Sequence, residues 1–148
     1  MIIREIIHSD QTCWAKMRTA LWPKTEDGHM AEITAYFNGE SIDIEQIYVA
    51  VVRDDPIGFI ELNVRDFAEG SRQPRVPYVE AWYVAPEHRG RGYGKHLMQR
   101  AERWALELGY DELASDTTID NRQSIALHTH LGFEETERIV CFLKKLVD

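Results

Sequence analysis

The stretch VEAWYVAPEHRGRGYGKHL, Val79 to Leu97, constrains this chain more than any other. Its first part is an apolar, β-branched and aromatic run that reads as a strand. From Leu97 onward apolar residues recur at intervals of three and four, the spacing of one helical face. Between the two, Arg89, Arg91 and Lys95 interleave with Gly90, Gly92 and Gly94. Glycine loses more backbone freedom on ordering than any other residue, so such a turn needs a return for its entropy cost. A helix entered through glycines offers its first N–H groups and the positive end of its dipole to an anion such as a pyrophosphate. The same residues also read as a solvated basic turn, and the motif alone leaves both readings open.

Spacing excludes two common nucleotide loops. A Walker loop needs four residues between its first glycine and the Gly-Lys pair. Here three separate Gly90 from Gly94, and His96 stands where Ser or Thr would hold magnesium. The dinucleotide pattern GxGxxG fails at Lys95. The formal charge of -8 repels nucleic acid, and no aromatic residues flank a basic face, so a nucleic-acid partner is not expected. A basic island on an acidic chain suits a small anion instead.

The 148 residues, 44% of them hydrophobic, suit a single domain spanning 1–148 with a proper core. No apolar run is long enough for a membrane helix, and the early charges of MIIREIIHSD do not suit a secretory leader, so a cytoplasmic protein is expected. Cys13 and Cys141 lie far apart and form no CxxC. His128 and His130 would point to different faces of a helix. Neither a disulfide nor a metal site is expected.

Along the chain, Met1 to Ile7 reads as a strand. Asp10 reads as the cap of a helix to about Leu21, with Trp14, Met17 and Leu21 on one face and Pro23 as its stop. A second helix is expected from about Gly28 to Phe37, closed by Asn38-Gly39. QIYVAVVRDDPIGFIELNV then reads as a hairpin turning at DDP, and VPYVEAWYV as the next strand. Leu97, Met98, Ala101, Trp104, Ala105 and Leu108 mark a helix from Gly92 to Leu108. DELAS reads as a short buried strand, Asp120 to Leu131 as a helix, and IVCFLKKLV as the strand that closes the sheet. This order predicts an α+β fold, a mixed and mostly antiparallel central sheet flanked by helices.

The glycine-rich stretch resembles the acetyl-coenzyme A signature of the GCN5-related N-acetyltransferases (GNAT fold). DNRQSIALHTHLGFEETER resembles that family's later helix, which carries an Asn and ends in Gly-Phe. ALWP, VEAWYV, ASDT and GFEETER are similar to the branch that acetylates the 6'-amine of aminoglycosides such as kanamycin and tobramycin. The resemblance implies a sheet splayed between its fourth and fifth strands, acetyl-coenzyme A as co-substrate, a cationic aminoglycoside as acceptor, and a homodimer. It implies that Arg89, Gly90, Arg91, Gly92, Tyr93, Gly94 and Lys95 hold the pyrophosphate, that the backbone of Trp82, Tyr83 and Val84 pairs with the pantetheine arm, and that Asn121 meets the arm as well.

An alkyl amine with a pKa of about 10 is more than about 99% protonated at pH 7, and only its free base attacks a thioester, so a base is required. By the resemblance, Glu80 and Asp116 are the candidates. Their plainer readings are a solubilising charge for Glu80 and a turn cap for Asp116. Where the family often has a tyrosine as general acid, this chain has His128, readable as a proton donor or as a packing residue. Trp22, His29, Phe67, Glu135 and Glu137 are further acceptor-site candidates. Acetylation of a polyamine or protein amine, or coenzyme A binding without chemistry, remain the alternatives.

Overall fold

Four segments rich in β-branched and aromatic residues become strands β1 (Ile2–Glu5), β2 (Gln46–Val52), β3 (Asp55–Arg65) and β4 (Val76–Val84). They form one antiparallel sheet in sequence order. The computed structural model describes residues 1–24 and 26–148, with the backbone alone for 26–28. Two compact units result, Met1–Asp116 and Thr117–Asp148.

The β2–β3 hairpin turns at Arg53 and Asp54, both at positive φ (52° and 67°), and Asp55 and Pro56 already belong to β3. Left-handed residues at both central positions give the turn whose twist matches its flanking strands, and aspartate tolerates that region better than most. The turn therefore falls earlier than the DDP triplet suggests.

Pairing between β3 and β4 is continuous except at one place. Glu61 faces Ala81 and Leu62 faces Val79, which leaves Glu80 as an extra residue in β4. Such a bulge bends the strand and re-aims the side chain at the irregularity. On its outer side, among the described residues, β4 pairs only with Ala114, through a parallel bridge with Tyr78. The Val79 N–H donates to the Ala114 carbonyl and the Ala114 N–H to the Pro77 carbonyl, both at 2.9 Å. The expected strand DELAS thus shrinks to one bridge, because Asp111 and Glu112 are solvent-exposed and only the half-buried Leu113–Ala114 supply apolar contact.

Helices α1 (Gln11–Leu21) and α2 (Glu26–Phe37) share one core with alternate residues of the sheet: Trp14, Met17 and Ile33 pack with Ile47, Val49, Val51, Phe59, Ala81 and Tyr83. Helix α2 begins two residues before the expected Gly28. Helix α3 (Tyr93–Glu107) covers the opposite face, where Arg100 lies over the Tyr48 ring, 4.3 Å from its centroid. Leu97, Met98, Ala101, Trp104 and Ala105 are buried there. Leu108, read as the next residue of that face, lies past the helix end and is exposed. Asp10 does not cap α1 with its side chain; its carboxylate takes both forks of Arg4 (2.7 and 3.0 Å) and the Ile7 N–H (2.9 Å).

A buried ionic knot ties α1 to the sheet. Arg18, on the apolar face of α1, donates through Nη1 to both Glu61 oxygens (3.0 and 2.9 Å), while Trp14 Nε1 donates to the same carboxylate at 2.9 Å. Arg18 also donates through Nε to His29 Nδ1 (3.0 Å) and through Nη2 to Glu32 (3.2 Å), so one side chain joins α1, α2 and β3. Burial pushes the Glu61 carboxyl up to about 7, against the opposing pull of Arg18 and the Trp14 N–H.

In the second unit, α4 (Arg122–His130) is capped by Asn121, whose Oδ1 accepts the Ser124 N–H at 3.1 Å. Its C-terminus turns through Gly132, at φ 97°, with the Phe133 N–H returning to the His128 carbonyl at 3.0 Å. The expected closing strand IVCFLKKLV does not form. Residues 133–148 carry neither helix nor strand, and Ile139, Val140, Phe142, Leu143, Leu146 and Val147 are exposed. A strand needs a ladder partner for its backbone, and within this unit none is present among the described residues.

Removing one partner of a buried ion pair strands the other charge. Arg18→Met should therefore lower the unfolding free energy by about 3–5 kcal/mol in a urea titration.

Candidate active site

The site grows from the open edge of β4. Ala85 donates its N–H inward to the Ile57 carbonyl at 2.8 Å, while the Val84 carbonyl accepts from Arg89 Nε at 2.7 Å on the outer side. By strand alternation the N–H and C=O of Trp82 and Val84 point away from β3. Among the described residues no strand pairs with that edge beyond Ala114. The splay between a fourth and a fifth strand that the resemblance implied is therefore not seen as such, because residues 111–115 form a single bridge in place of a fifth strand.

After a single turn at Pro86–His88, the chain enters α3 through Gly90 (φ 78°) and Gly92 (φ 85°). The first α-helical bond runs from the His96 N–H to the Gly92 carbonyl at 3.0 Å, so the N–H groups of Tyr93, Gly94 and Lys95 precede any intrahelical acceptor. Trp82 Nε1 donates to the Gly94 carbonyl at 3.0 Å, which pins this helix end to β4. His96 Nδ1–H donates to the Gly92 carbonyl at 2.7 Å. A methyl group on Gly90 would meet nothing within 4 Å, so backbone conformation rather than crowding calls for glycine there. Of the basic side chains, Arg89 folds back onto the strand end, 5.7 Å from the Tyr83 ring centroid, while Arg91 and Lys95 are exposed.

A second cluster stands on the bulge. Arg65 grips Glu80 with two parallel bonds, Nε to Oε2 at 2.7 Å and Nη2 to Oε1 at 2.6 Å, and Asn63 Nδ2 reaches Oε2 at 3.4 Å. The same guanidinium lies over the Tyr78 ring, 3.7 Å from its centroid. Tyr78 in turn donates its hydroxyl to Asp116 Oδ2 at 2.7 Å. Burial, followed by the bond to Asp116, raises the Tyr78 phenol well above its ordinary range, so it stays a neutral donor. The bond to Glu80 raises the Arg65 guanidinium further. Glu80 and Asp116, singled out in the sequence, thus share one connected cluster with Arg65 and Tyr78, which sequence reasoning missed. The one available signal was that Tyr78 and Glu80 stand two apart on a strand.

The remaining candidates have distinct places. Trp22 ends α1, stacked on His29 at 6.1 Å between ring centroids, with the Arg18 guanidinium 5.1 Å from its own. His29 is buried within the Arg18 knot. Phe67 is exposed after β3. In the second unit, Glu137 is exposed and Glu135 pairs with Arg138. Asn121 has its Oδ1 committed to the helix cap, leaving its amide N–H groups to offer. His128 donates Nδ1–H to the Ser124 carbonyl at 2.7 Å and sits edge-on to Phe133. With Nδ1–H so placed, Nε2 can give up a proton only from the charged ring.

An open strand edge leading into a glycine-entered helix, with carboxylates on a bulge beside it, defines an acyl-transfer site, and the model of the acetyltransferase (GNAT) family matches residues 11–133. The chain belongs to that family. It is 36% identical to the aminoglycoside N(6')-acetyltransferase type 1 of Klebsiella aerogenes over 147 residues, covering 98% of this chain and 97% of that protein. Among solved structures, the apo aminoglycoside 6'-N-acetyltransferase of Acinetobacter haemolyticus superposes with a TM-score of 0.89 at 31% identity, covering 99% of this chain and 100% of that one. AAC(6')-Iy in complex with the bisubstrate analog CoA-S-monomethyl-acetylneamine superposes with a TM-score of 0.88 at 32% identity, covering 97% of each chain.

Because Gly92 opens α3 at φ 85°, Gly92→Ala should cost about 1–2 kcal/mol, read as a lower midpoint in thermal unfolding.

Proposed function

We propose that this chain, as a single catalytic domain, transfers the acetyl group of acetyl-coenzyme A to the 6'-amino group of aminoglycosides, kanamycin and tobramycin among them, in the cytoplasm. The observation that carries the reading is the Glu80–Asp116 cluster on the β4 bulge, beside an edge whose Trp82 and Val84 backbone groups point outward. Relatives of nearly full-length similarity that bear the aminoglycoside 6'-N-acetyltransferase name support the acceptor class.

The residues present fit the co-substrate. The backbone of residues 90–95, with N–H groups of the first turn of α3 exposed to an anion, would hold the pyrophosphate. The outer edge of Trp82 to Val84 would receive the pantetheine arm as an added strand. Bound there, acetyl-coenzyme A supplies an acetyl group activated as a thioester. Arg89, tied to the Val84 carbonyl, shapes the loop, and exposed Arg91 and Lys95 add positive potential.

The acceptor arrives as an ammonium ion, and carboxylates that attract it also favour its protonated form. Asp116 therefore binds the ammonium, and Asp116 or Glu80 takes its proton, directly or through water, so that the free base attacks the thioester carbonyl. Phe67, Trp22 and Glu137 supply acceptor contacts in this reading. His128, if it protonates the leaving thiolate, does so from Nε2 of its charged form, with Ser124 fixing the ring. The exposed apolar residues of 133–148 support a homodimer, since a surface of that kind is commonly covered by a partner.

The test is thiol release from acetyl-coenzyme A with tobramycin, kanamycin, spermidine or no acceptor. Turnover confined to the aminoglycosides is expected, and a preference for spermidine or a peptide amine would move the enzyme to another acceptor class. Asp116→Ala should lower kcat/KM by about 100-fold or more. With the amine's free-base fraction limiting, kcat/KM should climb about tenfold per pH unit between pH 6 and 8. A flat profile in that window would remove amine deprotonation from the rate-limiting path.

A further inference from the structure

The cluster on the bulge holds a cation where a cationic acceptor is to bind. Arg65 meets Glu80 in a two-pronged pair with both bonds at 2.6–2.7 Å, a geometry that fixes orientation as well as charge. Glu80 is largely covered and Arg65 is two-fifths exposed, so the pair lies at the rim of the site rather than in the core. In charge the two cancel. The Tyr78 hydroxyl that contacts Asp116 is neutral, so it offsets none of that carboxylate's charge, and Asp116 is exposed to solvent. Glu69 adds a further negative charge felt at Tyr78. The four residues Arg65, Tyr78, Glu80 and Asp116 together carry one net negative charge, and it sits on Asp116.

We propose that Arg65 is a specificity-determining residue: by neutralising Glu80 it leaves one ammonium-binding carboxylate in the cluster, Asp116, where the bare sequence offers two. The inference deepens the functional reading above and rests on a cationic amine as acceptor. Two uncompensated carboxylates would hold a polycation by two ammonium groups, and hold it mainly in its unreactive protonated form. Tighter binding of that ground state lowers KM without helping the rate. Arg65 thus trades acceptor affinity for a larger fraction of reactive amine. Arginine suits the role better than lysine in geometry, because its planar fork also lies flat over Tyr78.

The experiment compares wild type, Arg65→Met, Arg65→Gln and Arg65→Lys in tobramycin turnover at low and moderate salt, with tobramycin binding read by calorimetry and folding by thermal melting. Arg65→Met and Arg65→Gln should bind tobramycin about fivefold more tightly than wild type, with a lower KM and a lower kcat. Raised salt should shrink the gap. Arg65→Lys, which keeps the charge, should stay close to wild type in KM. A merely structural role predicts the opposite split, with KM raised or unchanged and the melting point lowered. If wild type turns over tobramycin while folded Arg65→Met or Arg65→Gln binds it no more tightly, the inference is overturned and the functional reading stands. If wild type turns over no amine, the functional reading falls, and the calorimetric comparison still decides whether Arg65 masks Glu80. Should Arg65→Met fail to fold, Arg65→Gln carries the same comparison.

Discussion

One extra residue in β4 organises the rest of the site. Had β3 and β4 stayed in register through Glu61 and Ala81, Glu80 would have kept its place in strict strand alternation. The skip from Ala81 to Val79 bends the strand and brings Glu80 to Asn63 and Arg65, with Tyr78 beside them. The same bend accompanies an outer edge that, among the described residues, pairs with another backbone only at Ala114. The carboxylate cluster and the open edge of Trp82 to Val84 thus share one local departure from ladder geometry.

Such a departure needs rigid surroundings. On one face the Arg18–Glu61 knot fixes α1 to β3 at Glu61, the residue immediately before the register shift, and Trp14 supplies a further bond to the same carboxylate. On the other, Trp82 holds the start of α3 against β4. The bulge is therefore bracketed by two tethers, one buried and ionic, the other a single N–H to a carbonyl. A buried ion pair is weak evidence of net stability, because desolvation offsets attraction. Its value here is registry, since both oxygens of Glu61 are taken by one guanidinium group.

Much of this was legible in the sequence, and the failures share a cause. Period-two and period-3.6 patterns located β2, β3, β4, α1 and α3, and Gly90 and Gly92 marked the entry to α3 because glycine takes positive φ at no steric cost. Arg18 was hidden in an apolar face, where a charge reads as an exception until its partner, 43 residues later, is known to lie beneath it. Arg65 and Tyr78 escaped notice for the same reason, since hydrogen-bond partners across strands leave no local spacing to read. The segments DELAS and IVCFLKKLV carry strand-like composition, but a strand is made by its neighbour. Within their own units the first found one bridge and the second found none.

The Ala114 bridge has a consequence for how this chain can change. Asp116 stands two residues from an anchor of two backbone hydrogen bonds, outside the regular ladder and outside the main cores. Within 111–116, Ala114 packs against Ala68, Val76 and Tyr78 while Asp111, Glu112 and Asp116 are exposed, whereas substitutions in β3 and β4 meet both tethers. The segment that carries the most exposed charge of the acceptor cluster is thus tied to the sheet by two backbone bonds rather than by a full ladder. Under selection by a succession of cationic compounds, acceptor preference is the property this scaffold can alter at least expense to its own folding.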